Sequence, residues 1–314
     1  MTLAIIGAGM AGLSCASQLR KAGLNPVVFE KSRGTGGRLA TRRSAHGGFD
    51  HGAQFATARD PGFQAYLDQA AQLGRAAPWS DPASGEETWW TGTPGMSGLV
   101  KPMLESLDVR TDQRVVAMRR DGNSWTLRSQ GSEEHRFDTV LLAVPVVQAV
   151  DLLAEHAELF PSLERVEIAP CWTGMFAFDV PVPNSASVIQ RAGDLARAAR
   201  ERSRPQRDFG TERWVVQASA RWSRSHLEDT PEVVIPLLRD MFQAALGGPV
   251  PDPVYADVHR WRYAKVERPL GQACLWDDQL RLGLAGDWCL AARVEAAFLS
   301  GRALAETVLD ARVS

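Results

Sequence analysis

The sequence predicts an α/β protein with an inserted α+β unit built on an antiparallel sheet. Three observations carry the prediction. Residues 3–30 run strand, glycine-rich turn, helix, strand. Two further short apolar strands return much later, in "DTVLLAVP" (138–145) and "LRLGLAGDWC" (280–289). Between them lie longer strand-like runs, "WTGMFAFDV", "RWVVQASARWS" and "PVYADVHRWRYA". The 314 residues, 45% hydrophobic, suffice for two domains or for one large domain with an insertion.

The opening segment is the most informative. Leu3-Ala-Ile-Ile reads as a buried strand, and Gly7, Gly9 and Gly12 form GxGxxG. Met10 to Lys21 has helical spacing, with Leu13, Ala16 and Leu19 on one face and Gly23 near the C-cap. Pro26-Val-Val-Phe is a second strand, closed by Glu30, 18 residues past Gly12. Each glycine has its own reason: Gly7 makes the tight turn, Gly9 admits a pyrophosphate to the backbone, and Gly12 lets helix and strand pack closely. The helix N-terminus offers free N–H groups and a positive dipole end to phosphates. Glu30 is placed to accept hydrogen bonds from a ribose diol. The unit predicts dinucleotide binding.

A second glycine loop indicates which dinucleotide. Glu30 is followed, after five intervening residues, by Gly36-Gly37-Arg38. A cofactor whose pyrophosphate continues into a ribityl chain and a large ring needs such a second close approach of backbone. Arg38 would neutralise phosphate charge or point to the ring. Glu-x5-Gly-Gly-Arg resembles the second motif of the flavin amine oxidase superfamily.

The remaining elements follow in order. "PGFQAYLDQAAQLG" reads as a helix before a Pro/Gly-rich loop. "VRTDQRVVAMRRDGNSWTLRS" reads as two antiparallel strands around Asp121-Gly122-Asn123. The strand runs between Pro170 and Val266 are joined by a helix around Pro231 to Leu246. "RVEAAFLSGRALAETVLD" is a closing helix.

Further blocks, "FDHGAQFATARD", "PGMSGLVKPM", "HRWRYA" and "GDWCLAARVEAAFLSG", make the chain resemble the bacterial renalase-type flavoproteins over nearly its whole length. The resemblance implies a Rossmann-like FAD-binding domain of the GR2 type from 1–56, 94–150 and 270–314. It implies a substrate-binding domain from 57–93 and 151–269. It implies noncovalent FAD, held by Gly7, Gly9, Met10, Ala11, Gly12, Glu30, Lys31, Gly36, Gly37, Arg38, Gln54, Val115, Gly286, Asp287 and Val294. Val115 would lie over the adenine, Asp287 would bind a ribityl hydroxyl, and the closing helix would point its N-terminus at the flavin pyrimidine. The implied activity is oxidation of 2- or 6-dihydro-NAD(P) to NAD(P)+, with O2 reduced to hydrogen peroxide. The chain has Glu295-Ala-Ala-Phe where the group has Glu-Gly-Ala-Trp, a change expected to reshape the pocket.

Hydride transfer from a dihydropyridine needs orientation more than acid–base groups. Trp222, Trp261, Tyr263 and Trp288 are candidates for aromatic walls, and His51 for the flavin border; each has a core role as its alternative. No residue stands out as a catalytic acid, base or nucleophile. The six histidines have no metal-ligand spacing, and no metal is expected. A net charge of −2 argues against nucleic acid as partner, and no run approaches the length of a membrane span. Cys15, Cys171, Cys274 and Cys289 are scattered, which suits a reducing cytoplasm. A thioether from Cys289 to the flavin is conceivable, although the renalase group lacks one. Arg191, Arg197, Arg200, Arg202, Arg204, Arg207 and Arg213, offset by Asp194, Glu201, Asp208 and Glu212, read as a solvated surface or as an electropositive lip for a dinucleotide substrate. Two other functional classes remain open: a flavin oxidase or desaturase acting on an amine or a hydrophobic ring, where Lys265 would be the lysine to test, and a flavin-binding protein without turnover.

Overall fold

The computed structural model describes residues 1–81, 85–131, 133–207 and 210–312, so Asp208 lies outside the described residues. Its central sheet has six strands in the order Leu275–Asp277, Leu282–Leu284, Thr139–Leu142, Leu3–Ile6, Val27–Phe29 and Asp108–Arg110. Neighbours run parallel, except Leu275–Asp277 at one edge. Strands covered on both faces read as unbroken apolar runs, as "LAII" and "TVLL" do. The two glycine motifs and Gly286-Asp287 therefore emerge at the C-terminal ends of parallel strands, where open α/β sheets bind ligands.

The helix Met10–Lys21 follows the first strand, as its spacing predicts, and packs against the closing helix Val294–Asp310. A side chain at Gly301 would meet the Ala11 carbonyl oxygen at 2.1 Å, so glycine is what lets these helices approach. Ser14 Oγ donates across the contact to the Phe298 carbonyl. The predicted hairpin is present as Val115–Asp121 and Ser124–Ser129, with Gly122 at φ +58° in the turn.

The second layer is a five-stranded antiparallel sheet: Val188–Ala192, Leu195–Arg200, Glu212–Ala218, Glu167–Phe178 and Tyr255–Arg268. On its outer face Phe176, Trp214 and Val216 pack under the helix Pro231–Leu246, through Val234, Leu238 and Phe242. Proline in the first turn and Gly247 in left-handed conformation delimit that helix. On the inner face Met175, Ala177 and Val215 close over Phe49, which belongs to the first layer's glycine-rich connection.

Two details depart from the sequence pattern. The run "RWVVQASARWS" is strand only to Ala218; Ser219 then accepts a hydrogen bond from Trp222 N and caps the helix Ala220–Ser225. The long strand Tyr255–Arg268 carries two more residues than its partner between the pairs Cys171–Trp261 and Ala169–Lys265. Pro170 stands opposite this bulge, and a proline has no N–H for the ladder.

Candidate functional site

The glycines of the first turn separate into two kinds. Gly7 sits at φ +107°, and a Cβ there would meet the Ala143 carbonyl oxygen at 2.5 Å. A Cβ at Gly12 would lie 1.9 Å from the Gly7 carbonyl oxygen. Both glycines are demanded by the fold itself. Gly9 is different: it is extended, at φ −80°, and a Cβ would meet nothing within 4 Å. No neighbouring protein group requires glycine there, whereas a ligand pressed against the backbone would. Gly9 also precedes a helix start with no side-chain cap and no acid in its first turn, so the backbone N–H groups around Met10 and Ala11 face the same space. The second glycine loop closes on it. Gly36 N donates to the Ala8 carbonyl at 2.8 Å, Gly36 bridges Gly9, and a Cβ on Gly37 would sit 3.5 Å from the Gly9 Cα. The cleft is built of backbone and a helix dipole, which fits a pyrophosphate.

Glu30 is buried at the end of the second strand. Its carboxylate accepts from Ala8 N and Ser32 N, each at 2.9 Å, so it tethers both loops while keeping lone pairs for a ribose. Lys31 is exposed and donates to Gln148 Oε1 at 3.2 Å. Val115 is buried against the same end of the sheet, beside the turn whose Gln113 N donates to the Glu30 carbonyl.

At the other end, Arg38 forms a bidentate pair with Asp287, Nη2 to Oδ1 at 2.7 Å and Nη1 to Oδ2 at 2.8 Å. Its Nη1 also reaches the Ala264 carbonyl at 3.2 Å, in the bulge opposite Pro170. Gly286 is extended, but a Cβ would strike the Trp288 indole at 2.3 Å. Trp288 is fully buried, its Nε1 donating to the Val144 carbonyl at 3.0 Å. It is therefore a core residue bracing the Asp287 turn, which corrects its reading as a pocket wall. Val294 opens the closing helix, whose first turn carries Glu295.

Residues 49–60 run between these parts. Ala53 N donates to the Arg38 carbonyl at 2.8 Å, and a Cβ at Gly52 would meet that same oxygen at 2.0 Å. Further on, Arg59 N and Asp60 N donate to Glu295, at 2.5 and 2.7 Å. The segment thus spans from the Arg38 pair to the start of the closing helix. Gln54 lies within it, and its side chain is engaged within the protein: Nε2 donates to the Gly52 carbonyl, and Oε1 accepts from Arg204 at 2.5 Å.

What holds this segment is the arginine-rich stretch. Arg200, Arg204, Arg207 and Arg213 are buried, so neither the solvated surface nor the lip describes them. Arg207 pairs with Asp50 and lies 3.6 Å from Glu201, and Arg204 lies 3.4 Å from Glu201. Asp50 N donates to Glu201 Oε1 at 2.9 Å. Burial pushes the Asp50 carboxyl up, but Arg207, Arg204 and hydrogen bonds from Thr41 and Met96 N bring it below the usual carboxylate range. Burial and the Asp50 charge hold Glu201 up. Sequence reading missed this cluster because Asp50 lies 151 residues before Glu201 and 157 before Arg207.

Of the aromatic candidates, Trp261 and Tyr263 lie on the strand Tyr255–Arg268, whose bulge makes the Arg38 contact. Trp261 Nε1 donates to the His51 carbonyl at 2.9 Å, and its ring stands 5.2 Å from His51 and 4.2 Å from His259. Burial, the other imidazole and Arg42 lower His51 to about 4; burial and Arg42 lower His259 to about 4. Both are neutral at pH 7. Trp222 does not join them. It stacks on His226 at 4.0 Å and packs into the core on the opposite face of the sheet. Phe298, from the altered block, packs on Phe63 and Tyr66, in the core beneath the closing helix. No three His, Cys, Asp or Glu side chains gather as a metal site among the described residues, and none of their helices is long and apolar enough to cross a membrane.

Comparison with known proteins agrees with this geometry. Residues 5–70 match the family model for an NAD(P)-binding Rossmann-like domain, and residues 77–309 match that for flavin containing amine oxidoreductases. The chain is 23% identical to mouse renalase (Mus musculus) over 291 residues, covering 83% of this chain and 84% of the relative. Among solved structures it is similar to a candidate protoporphyrinogen oxidase from Exiguobacterium sp., with a TM-score of 0.80, 14% identity, and 98% and 99% of the two chains covered. It is also similar to cyclohexylamine oxidase from Brevibacterium oxydans, with a TM-score of 0.70, 14% identity, and 100% and 99% covered.

Proposed function

Because the chain belongs to the flavin-containing amine oxidoreductase family and is an FAD-dependent oxidoreductase, we propose that it is a renalase-type oxidase. On this reading it converts isomeric dihydronicotinamides, 2-dihydro-NAD(P) and 6-dihydro-NAD(P), to NAD(P)+, with O2 reduced to hydrogen peroxide. The chemistry that FAD supplies when bound is acceptance of a hydride at N5 and delivery of the electrons to O2.

The chain's own residues do the rest. Gly9, Gly36, Gly37 and the start of the first helix hold the pyrophosphate, and Glu30 holds the adenosine ribose. Arg38 and Asp287 hold the phosphate–ribityl end. The N-terminus of the closing helix favours negative charge on the pyrimidine edge. Residues 1–56, 94–150 and 270–314 form the cofactor-binding part; 57–93 and 151–269 meet the substrate. Four free cysteines without disulfides support a reducing, cytoplasmic setting.

The single observation that carries the substrate reading is the contact of Arg38 with the Ala264 carbonyl, which ties the bulge bearing Trp261 and Tyr263 to the cofactor arginine. The Trp261 ring, held at the edge of that bulge by its bond to the His51 carbonyl, suits a planar ring laid over the flavin. A dihydropyridine becomes cationic as it loses hydride. His51 and His259, kept neutral beside Trp261, put no positive charge against that change.

Anaerobic mixing tests the reading. The oxidised holoenzyme should be bleached fastest by 2-dihydro-NAD, more slowly by 6-dihydro-NAD, and poorly by ordinary 4-dihydro-NAD and by primary amines. A clamped ring presents one carbon at transfer distance, and a misplacement of about 1 Å costs on the order of 100-fold. Bleaching by amines alone would favour an amine oxidase. Efficient bleaching by ordinary NADH would also reject the proposal, since such an enzyme would drain the cell's main reductant.

A further inference from the structure

Within the arginine-rich stretch one residue is unlike its neighbours. Arg200 and Arg202 pair with Glu212, and Arg204 and Arg207 with Glu201. Arg197 pairs with no carboxylate among the described residues. It is half-buried; one Nη donates to Gln190 Oε1 at 3.1 Å, and its Nε is buried with no partner. Its guanidinium lies 4.5 Å from the centre of the Phe55 ring, which is itself stacked on Trp89 at 4.0 Å. Burial first, then Arg204 and Arg191, lower Arg197 to about 10, so the nearby charges that act on it are of its own sign. A cation that is partly desolvated and flanked by cations is costly unless an anion joins it.

The sheet register shows where it stands. Arg197 pairs with Gln217, Gln217 with Thr173, and Thr173 with His259. These four residues form one transverse row on the inner face, the face that carries His51 and Trp261 against it. Three strand spacings of about 4.8 Å separate Arg197 from the His259 end, roughly 14 Å along the row. Phe55 beneath the guanidinium belongs to the segment that runs from Arg38 to Glu295. Gln217 Nε2 donates to the Gly52 carbonyl at 2.8 Å, so residues 52–55 cross the middle of this row, and a substrate ring beside Trp261 would have the Arg197 guanidinium, unpaired with any carboxylate among the described residues, beyond that segment.

We infer that Arg197 is an anion-binding residue of the substrate site, taking the pyrophosphate of a dinucleotide reductant. The inference rests on the proposed dihydronicotinamide activity. It differs from a general electropositive lip, because Arg200, Arg204 and Arg207 are committed to carboxylates and Arg213 donates to the His46 carbonyl, which leaves the Arg197 guanidinium to form the contact.

The test compares three reductants on the holoenzyme: 2-dihydro-NAD, its mononucleotide, and the phosphate-free 2-dihydronicotinamide riboside. A charge-assisted hydrogen bond of this kind is worth roughly 10- to 150-fold in affinity. Arg197→Met keeps the stem over Phe55 and removes the charge. It should raise KM for the dinucleotide by that factor with kcat little changed, and collapse the preference over the riboside. Arg197→Lys should recover part of the preference. Inorganic pyrophosphate should compete with 2-dihydro-NAD on the wild type, and the competition should weaken in Arg197→Met. An unchanged preference in Arg197→Met overturns the inference. So does a wild type on which pyrophosphate does not compete, an arm that needs no variant to fold. If no dihydronicotinamide bleaches the wild type, the activity reading itself has failed; calorimetry with pyrophosphate then decides Arg197 alone, through binding heat lost in Arg197→Met or absent from the wild type.

Discussion

Arg38 and Asp287 are 249 residues apart in sequence and share two hydrogen bonds, at 2.7 and 2.8 Å. The pair closes the sheet's ligand-binding edge, joining the second glycine loop to the strand that returns last. It also carries the Ala264 carbonyl, and with it the aromatic bulge. Asp287→Ala should release Arg38 and lower FAD affinity by roughly 10- to 150-fold, the worth of a charge-assisted bond. Flavin-to-protein ratio after gel filtration, and a dissociation constant from flavin fluorescence, check this. Wild-type retention of FAD would place the ribityl chain elsewhere.

Gly9 and Gly12 should separate ligand binding from folding. Gly9→Ala meets no protein atom within 4 Å, so its thermal midpoint without FAD should match that of the wild-type apoprotein, while FAD binding weakens. Gly12→Ala forces a Cβ to within 1.9 Å of the Gly7 carbonyl oxygen, and should lower the midpoint or yield no folded protein. Equal effects of the two substitutions on apoprotein stability would refute the distinction.

Stability should fall as the medium is acidified. His51 and His259 have folded values of about 4, below the ordinary 6.5. Their contribution is complete above about pH 6.5 and is lost as pH falls towards 4, because the unfolded chain binds the protons first. The limiting slope for two such groups is about 2.7 kcal/mol per pH unit, with the half-buried His259 giving the smaller share. Denaturant midpoints between pH 4.5 and 7 measure it, and His51→Asn should flatten the curve. A flat wild-type curve would mean that the imidazoles are not held neutral.

Acid precipitation should leave all the flavin in the supernatant. Cys289, adjacent to Trp288, is buried, and burial pushes its thiol up to about 12. A neutral, enclosed thiol does not attack a flavin ring. Yellow colour in the pellet would show a covalent bond.

The chain's local patterns were sufficient for most of its local structure, though not for the helix Ala220–Ser225 inside a strand-like run. The turn at Gly7, the helix Met10–Lys21 and the acid at Glu30 follow from steric rules acting over a few residues. The apolar returns at Thr139–Leu142 and Leu282–Leu284 were legible because strands buried on both faces tolerate only such runs. The Arg38 and Asp287 motifs were found the same way, each beside its own glycine.

Which side chains meet was decided by the tertiary structure alone. Trp222 and Trp261 look equivalent in sequence. Ser219 caps a helix that sends Trp222 to the far face, while Pro170 opposes a bulge that brings the Ala264 carbonyl to Arg38. The Gln54 amide meets Arg204, a partner 150 residues away. The arginine stretch reads as surface by composition, yet Arg204 and Arg207 are buried against Glu201 and Asp50. Periodicity specifies which face of an element is apolar. Strand register and the packing of one layer on another determine which distant residue that face meets, and a buried charge keeps its place only when register supplies its partner.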